Sequence, residues 1–287
     1  MRHAYLIIAH HEFKVLEQLI FALDDCRNDI FIHFDRKVKE IPALSTQQAS
    51  LVILENRVDV RWGSLSQIRA EYALFESAYQ TNNTYARYHL ISGTHLPLKS
   101  QDEIHAFFEA YQQKEILRYI YTNAYEVNMK LARYHFFVRH YQHPVNVLRK
   151  LAVLGWRILL KLQYICGIQR ASPKVSIKAN NWVSLTEEAV VAIIQQKDEV
   201  LARFRYTFCA DEFFVPFVLE NQPKKFKMIN DERLLFNEFE QANVRLLKRD
   251  DFKKLMESDF LFARKFGERE MEVVYNIVDR IRKGKGD

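Results

Sequence analysis

The chain has 287 residues, 48% hydrophobic and 27% charged, which is enough apolar material to bury a core and excludes a disordered chain. Its seven glycines, at 63, 93, 155, 167, 267, 284 and 286, stand too far apart for a G-x-G-x-x-G or G-x-x-x-x-G-K-[ST] phosphate loop, and they also exclude collagen-like repeats and Gly/Ser linkers. The net charge of +6 is one patch: ten basic residues and no acidic one lie between Glu126 and Glu187, leaving 32 basic against 36 acidic residues elsewhere.

The first half alternates strand and helix signals. Ala4 to Ala9 is a short apolar run that reads as a buried strand. Phe13 to Leu23 carries apolar residues at helical spacing. Asp29 to Phe34 and Leu51 to Leu54 read as strands. Ser64 to Tyr79 predicts a helix capped by Ser64. Tyr88 to Ile91 is a strand, Asp102 to Ala110 a helix and Ile116 to Tyr121 a strand. This alternation predicts an α/β fold with a mostly parallel sheet flanked by helices.

The second half reads differently. Residues 127–168 look helical and basic. Trp182 to Leu185 is a short strand, and Thr186 opens a helix. Asp211 to Leu219 reads as a helix, Phe226 to Ile229 as a strand, and Arg249 to Glu257 and Glu268 to Arg282 as helices. No repeat or long linker divides the chain. The reading is a single domain over 1–287, with a front half at 1–125 and an elaborated rear half at 126–287. The basic helical segment spans 127–178.

Ligands of open parallel sheets bind beyond the C-terminal ends of the strands. That rule selects His10-His11-Glu12, Asp35-Arg36-Lys37 and Ser92-Gly93-Thr94-His95. The histidine pair reads as a capping or hydrogen-bonding pair as readily as a ligand contact. Asp35 suits a nucleoside base or ribose hydroxyl. Asp211-Glu212 is the best acid/base candidate, because flanking phenylalanines can raise a carboxyl pKa. The same pair could simply complement a helix dipole. Leu261 to Glu268, with Arg264 and Lys265 between aromatics, is either an anion site or an amphipathic surface turn.

Two aspartates never stand at i, i+2, and the ten histidines show no metal-binding spacing, so no metal is expected and a leaving phosphate needs Arg or Lys. Three scattered cysteines (Cys26, Cys166, Cys209) suggest a reducing compartment. The N-terminal apolar stretch is too short for a signal peptide, and no window predicts a membrane span.

Seven pieces occur in an order that resembles the core-2/I-branching glycosyltransferases, glycosyltransferase family 14, which also includes peptide O-xylosyltransferases. They are Ala4–His11, Ile32–Lys37, Val60–Ser64 with Ala70-Glu71, Tyr88–Ser100, Trp182–Thr186, Asp211–Phe214 and Phe262–Phe266. The resemblance implies a GT-A-type fold without an Asp-x-Asp metal motif, with a nucleotide-sugar-binding half at 1–125 and an acceptor and catalytic half at 126–287. It also implies inverting transfer of a sugar from a UDP-sugar donor to a hydroxyl of an acceptor glycan.

By the same resemblance, Glu212 is the general base, and Lys265 with Arg245 contacts the donor diphosphate. His10, Asp35 and Trp62 fall to nucleotide binding, and Ser92, Gly93, His95, Trp182 and Asp211 to the donor and acceptor pocket. Where family members often carry an acidic residue, this chain has His95, so GlcNAc and xylose both stay open as the donor sugar. Vertebrate members have a membrane anchor and lumenal disulfides. Lacking both signatures, this chain looks like a bacterial member, cytoplasmic and peripheral on the inner face of the membrane, acting in surface polysaccharide synthesis on a glycan that a lipid could carry.

On a helical wheel, Arg149, Lys150, Arg157 and Lys161 occupy about a third of the circumference of residues 145–168, and most of the remainder is apolar. That pattern fits an in-plane helix on an anionic membrane, and equally a helix buried against the domain with a solvated basic edge. No nucleic-acid motif is present, so no nucleic-acid partner is expected. The alternative to an enzyme is an inert membrane-binding scaffold with a degenerate transferase fold.

Overall fold

A computed structural model describes residues 1–241 and 243–283. The first half follows the predicted order: β1 (His3–Ala9), α1 (Phe13–Leu23), β2 (Asn28–Phe34), β3 (Ser50–Ile53), α2 (Ser66–Tyr79), β4 (Arg87–Ser92), β5 (Leu96–Pro97) and α3 (Gln101–Ala110). The chain continues with β6 (Glu115–Leu117), β7 (Tyr119–Tyr121), α4 (Ala124–Lys130), α5 (Asn146–Ile165), β8 (Ile177–Ala179), β9 (Ser184–Leu185), α6 (Glu187–Gln195), α7 (Lys197–Arg203) and α8 (Phe214–Glu220). It ends with β10 (Met228–Asn230), β11 (Leu235–Phe236), β12 (Phe239–Glu240), β13 (Asn243–Val244), α9 (Phe252–Met256), β14 (Phe262–Ala263) and α10 (Met271–Lys283).

The seven-stranded central sheet has the order β10-β6-β9-β4-β1-β2-β3. β3, β2, β1 and β4 are mutually parallel, whereas β9 runs antiparallel to both of its neighbours. The mixed α/β, mostly parallel architecture is the one expected from the alternating signals. Strands from both halves of the chain enter this sheet. β2 and β4 are buried along their whole length, which explains why they read as continuous apolar runs rather than as alternation. Two apolar cores cover the two faces. One is built around α1, α3 and α10, the other around α2, α6 and α8, and Trp182 packs against both.

Four local expectations are corrected. Leu65, not Ser64, precedes α2, and no side chain caps it, because the Ser64 hydroxyl donates to the Arg61 carbonyl at 2.9 Å. The run Ile116–Tyr121 is two strands in different sheets. Between them the Arg118 guanidinium turns away to donate to the Leu235 carbonyl and the Asn237 side chain. Residues 127–168 hold the end of α4, a short 3-10 turn at Val138–His140 and α5 rather than one helical stretch. Asp211 and Glu212 lie on a 3-10 turn at Ala210–Glu212, entered through Cys209 at φ 51°, and α8 begins only at Phe214.

Thr186 caps α6 as expected, its hydroxyl accepting from the Ala189 N–H. α3 gains a reciprocal capping box between Ser100 and Glu103.

Candidate active site

The parallel strands deliver their C-terminal ends to one edge. There the Asp35 N–H donates to the Ala9 carbonyl and the Gly93 N–H to the Ile8 carbonyl, both at 2.9 Å. His10, Asp35 and Ser92-Gly93 are therefore neighbours because β1, β2 and β4 are. Gly93 sits where a side chain does not fit easily: a Cβ there would lie 3.3 Å from the Ala9 Cβ and 3.4 Å from Leu16.

The segment Phe262–Phe266 is brought to the same edge by a second small sheet. β14 pairs antiparallel with β5, which directly follows His95, and the Phe266 N–H donates to the Thr94 carbonyl at 3.0 Å. Arg264 and Lys265 thus flank the strand ends. The Arg264 guanidinium lies over the Trp182 ring, 4.9 Å from its centroid, and the His95 ring meets the same indole edge-on at 4.9 Å.

His95 is fully buried. Its Nδ1 accepts from the Ser92 N–H at 3.0 Å, with the Ser92 Oγ 2.8 Å away, while Nε2 has no hydrogen-bond partner among the described residues. Burial, helped by the Arg264 charge, holds its pKa well below the ordinary histidine value, so the ring is neutral.

His10 stacks on His11 with centroids 4.1 Å apart. Its pKa is lowered by burial, against the pull of Asp35, with Lys265, Lys37 and Arg264 adding to the depression. One imidazole thus feels both the Asp35 group and the 264–265 cations, so the predicted nucleotide and diphosphate residues share one field. Asp35 is buried and accepts from the Lys37 N–H at 2.9 Å and from its ammonium at 2.6 Å. Lys37 continues to Asp59 at 3.3 Å, and Asp59 pairs with Arg61 at 2.9 Å, next to Trp62. Trp62 is half-exposed and packs against Tyr141 and Phe208.

The Asp211–Glu212 turn joins this edge through Gly63 and Asn181. Gly63, at φ +71°, offers its carbonyl to the Cys209 N–H at 2.9 Å, and a Cβ there would come within 2.8 Å of the Phe208 ring. Asp211 is buried. Its Oδ2 accepts from the Gln67 amide at 2.7 Å and from the Asn181 amide, and Asn181 is the residue before Trp182. Burial and the Glu212 charge push the Asp211 carboxyl up to about 6. The sequence argument that local burial raises a carboxyl in this pair therefore applies to Asp211.

Glu212 is partly exposed and accepts from Lys130 at 2.8 Å, with Lys178 at 4.0 Å. Burial disfavours the Lys130 charge, but Glu212 and Glu126 outweigh it and raise its pKa. Behind Asp211, the carboxyl of Glu71 on α2 is fully buried and held well above its usual range by desolvation and by the Asp211 charge.

Arg245 lies on the segment whose Leu247 N–H donates to the Lys265 carbonyl at 2.9 Å, but its charge is already answered. It is clamped by two carboxylates, Asp251 through paired contacts of 2.8 Å and Glu238 on its other side. By contrast, neither Arg264 nor Lys265 forms a salt bridge with any described residue. Burial lowers Arg264 to about 10, which still leaves it charged at neutral pH. Lys265 is lowered by burial and by Arg264, with Glu12 opposing.

Arg264, Asn181, Gln67 and Lys130 were not singled out as site residues. Arg264 alone carried a signal, as the second cation of the quoted segment. Among the described residues, no group of three or more His, Cys, Asp or Glu side chains is gathered as a metal site would require.

The sequence model of the core-2/I-branching enzyme family matches residues 3–242, and the chain belongs to that family. It is accordingly a glycosyltransferase. Among solved structures it is similar to mouse xyloside xylosyltransferase 1 in its apo form, at 10% identity and a TM-score of 0.39, over 91% of this chain and 97% of that one. At that TM-score the likeness says nothing about donor or acceptor. No curated protein matches the chain.

Proposed function

We propose that the protein transfers a sugar from a UDP-sugar to a hydroxyl of an acceptor glycan by a single inverting displacement that needs no metal ion. The observation that carries this reading is the pair Arg264 and Lys265. They are two adjacent, partly buried cations without a carboxylate partner among the described residues, at the strand ends where a donor binds. Uncompensated charge of this kind is costly unless an anion occupies the site. A diphosphate is the anion a glycosyltransferase supplies.

In the displacement, Glu212 takes the proton of the acceptor hydroxyl as that oxygen forms its bond to the anomeric carbon. The bond from that carbon to the phosphate oxygen breaks, and UDP leaves with its new charge facing Arg264 and Lys265. Lys130 aims the Glu212 carboxylate. Asp211, fixed by Gln67 and Asn181, anchors the turn. His10, Asp35 and Trp62 lie where the uridine binds. Ser92, Gly93, His95 and Trp182 line the donor sugar, which is GlcNAc or xylose. A role in bacterial surface-polysaccharide synthesis on the cytoplasmic side belongs to the same reading.

UDP release with a panel of UDP-sugars, with and without chelator, tests it. Turnover surviving EDTA, and lost in Glu212→Gln while UDP still binds, is the expected result. Retained turnover in Glu212→Gln refutes the base assignment, and a chelator-sensitive rate refutes the metal-free step.

A further inference from the structure

α5 inverts the usual arrangement of an amphipathic helix. Along its 20 residues, about 30 Å, Gln163 is the only buried side chain. Val147, Leu151, Leu154, Ile158, Leu162 and Ile165 recur every three or four residues and are 47–70% exposed. They form one continuous outward stripe.

The opposite face is fixed mainly by polar bonds. The Gln163 amide accepts from the Tyr134 N–H at 2.8 Å and donates to the Tyr134 carbonyl at 2.9 Å. The Trp156 indole donates to the His135 Nδ1 at 2.9 Å. Gly167, at φ +65°, lets the Ile168 N–H return to the Gln163 carbonyl and closes the helix. This helix is held in place with its apolar side facing out.

Lys150, Arg157 and Lys161 are exposed and lie along one border of the apolar stripe. No acidic residue occurs anywhere from 127 to 186. A second copy of the chain seated on this face brings like charges together with no acid on either helix to answer them. No helix among the described residues is long and apolar enough to cross a membrane. Charge complementarity therefore selects an anionic lipid surface.

We propose that α5 lies in the plane of an anionic bilayer, with the apolar stripe among the acyl chains and the three cations at the headgroups. The inner side of the helix reaches the carboxylate turn: Trp156 packs on Phe208 at 5.6 Å, three residues before Asp211. A lipid-borne acceptor is thereby offered to the site from the surface that carries the enzyme. The docking itself does not depend on the transferase reading.

The test is flotation of the full chain with vesicles of phosphatidylcholine, alone or mixed with phosphatidylglycerol, at low and high salt. Binding to the mixed vesicles at low salt is expected to exceed binding to neutral ones by about 100-fold, since each cation near the surface contributes roughly a factor of five. It should be lost in Lys150→Glu/Arg157→Glu/Lys161→Glu and in Leu151→Glu/Ile158→Glu, with circular dichroism and UDP binding retained in both. Equal binding to both vesicle types, no binding at low salt, or a dimer that Leu151→Glu/Ile158→Glu dissolves while vesicles are ignored would each overturn the proposal.

Discussion

The strand-end site and α5 place the same kinds of residue in opposite situations. At the strand ends, cations are drawn partly out of water beside the buried central strands and left without an ion-pair partner among the described residues. On α5, leucines and isoleucines are left in water over a polar anchor. Under the two proposals above, what each region would take differs: an anion in one, an apolar phase with a negative border in the other. The contrast shows that a local excess of unmet chemistry, rather than composition, marks a working surface.

The comparison can be broken or sharpened at several levels. The largest effect is expected at Glu212: Glu212→Gln should lower turnover by about 10²–10⁴-fold without changing the UDP affinity measured by calorimetry. Next come matched truncations in the two regions. Leu19→Ala, in the fully buried face of α1, should cost about 2–5 kcal/mol in urea unfolding. Ile158→Ala on α5 should stay within about 0.5 kcal/mol. A comparable loss at Ile158 means that the stripe is covered.

The pH dependence of stability probes the polar anchor of α5. Burial lowers His135 to about 4, so it is neutral when folded and gains a proton on unfolding below its ordinary value. Its contribution is complete above about pH 6.5 and is lost as the pH falls toward 4, amounting to no more than about 3 kcal/mol. His135→Gln should flatten that part of a plot of melting temperature against pH. A smaller effect separates the three arginine and lysine candidates. Arg264→Ala and Lys265→Ala should each weaken UDP binding by roughly 10-fold or more, as for a lost charged hydrogen bond. Arg245→Ala, whose charge is already answered by Asp251 and Glu238, should mainly lower the melting temperature.

Much of the front half was legible because β1, β2 and β4 are buried on both faces. Apolar runs such as Tyr5–Ala9 and Ile30–Phe34 admit few other readings, and α1 occupies Phe13–Leu23 as its periodicity predicts. The strand-end rule selected His10, Asp35 and Ser92, which stand together at the ends of β1, β2 and β4. Partners such as Asn181 for Asp211 or Lys130 for Glu212, 30 and 82 residues away, leave no local trace. Which side of α5 faces out was also not legible. Both sides carry apolar residues, and the choice rests on Gln163 and Trp156 finding Tyr134 and His135. The break at Arg118 depends in the same way on acceptors at 235 and 237.

The packing of α10 against α1 has a consequence for synthesis. Val273, Val274, Ile277 and Val278 share one core with Val15, Leu16 and Leu19. α1 is therefore covered by a helix made about 250 residues later. At about 5–20 residues per second, the ribosome needs roughly 10–50 s to travel between them, and for that interval α1 has only part of its cover. A nascent chain stalled before residue 271 thus leaves that side of α1 open to water, however well its first four sheet strands have already paired.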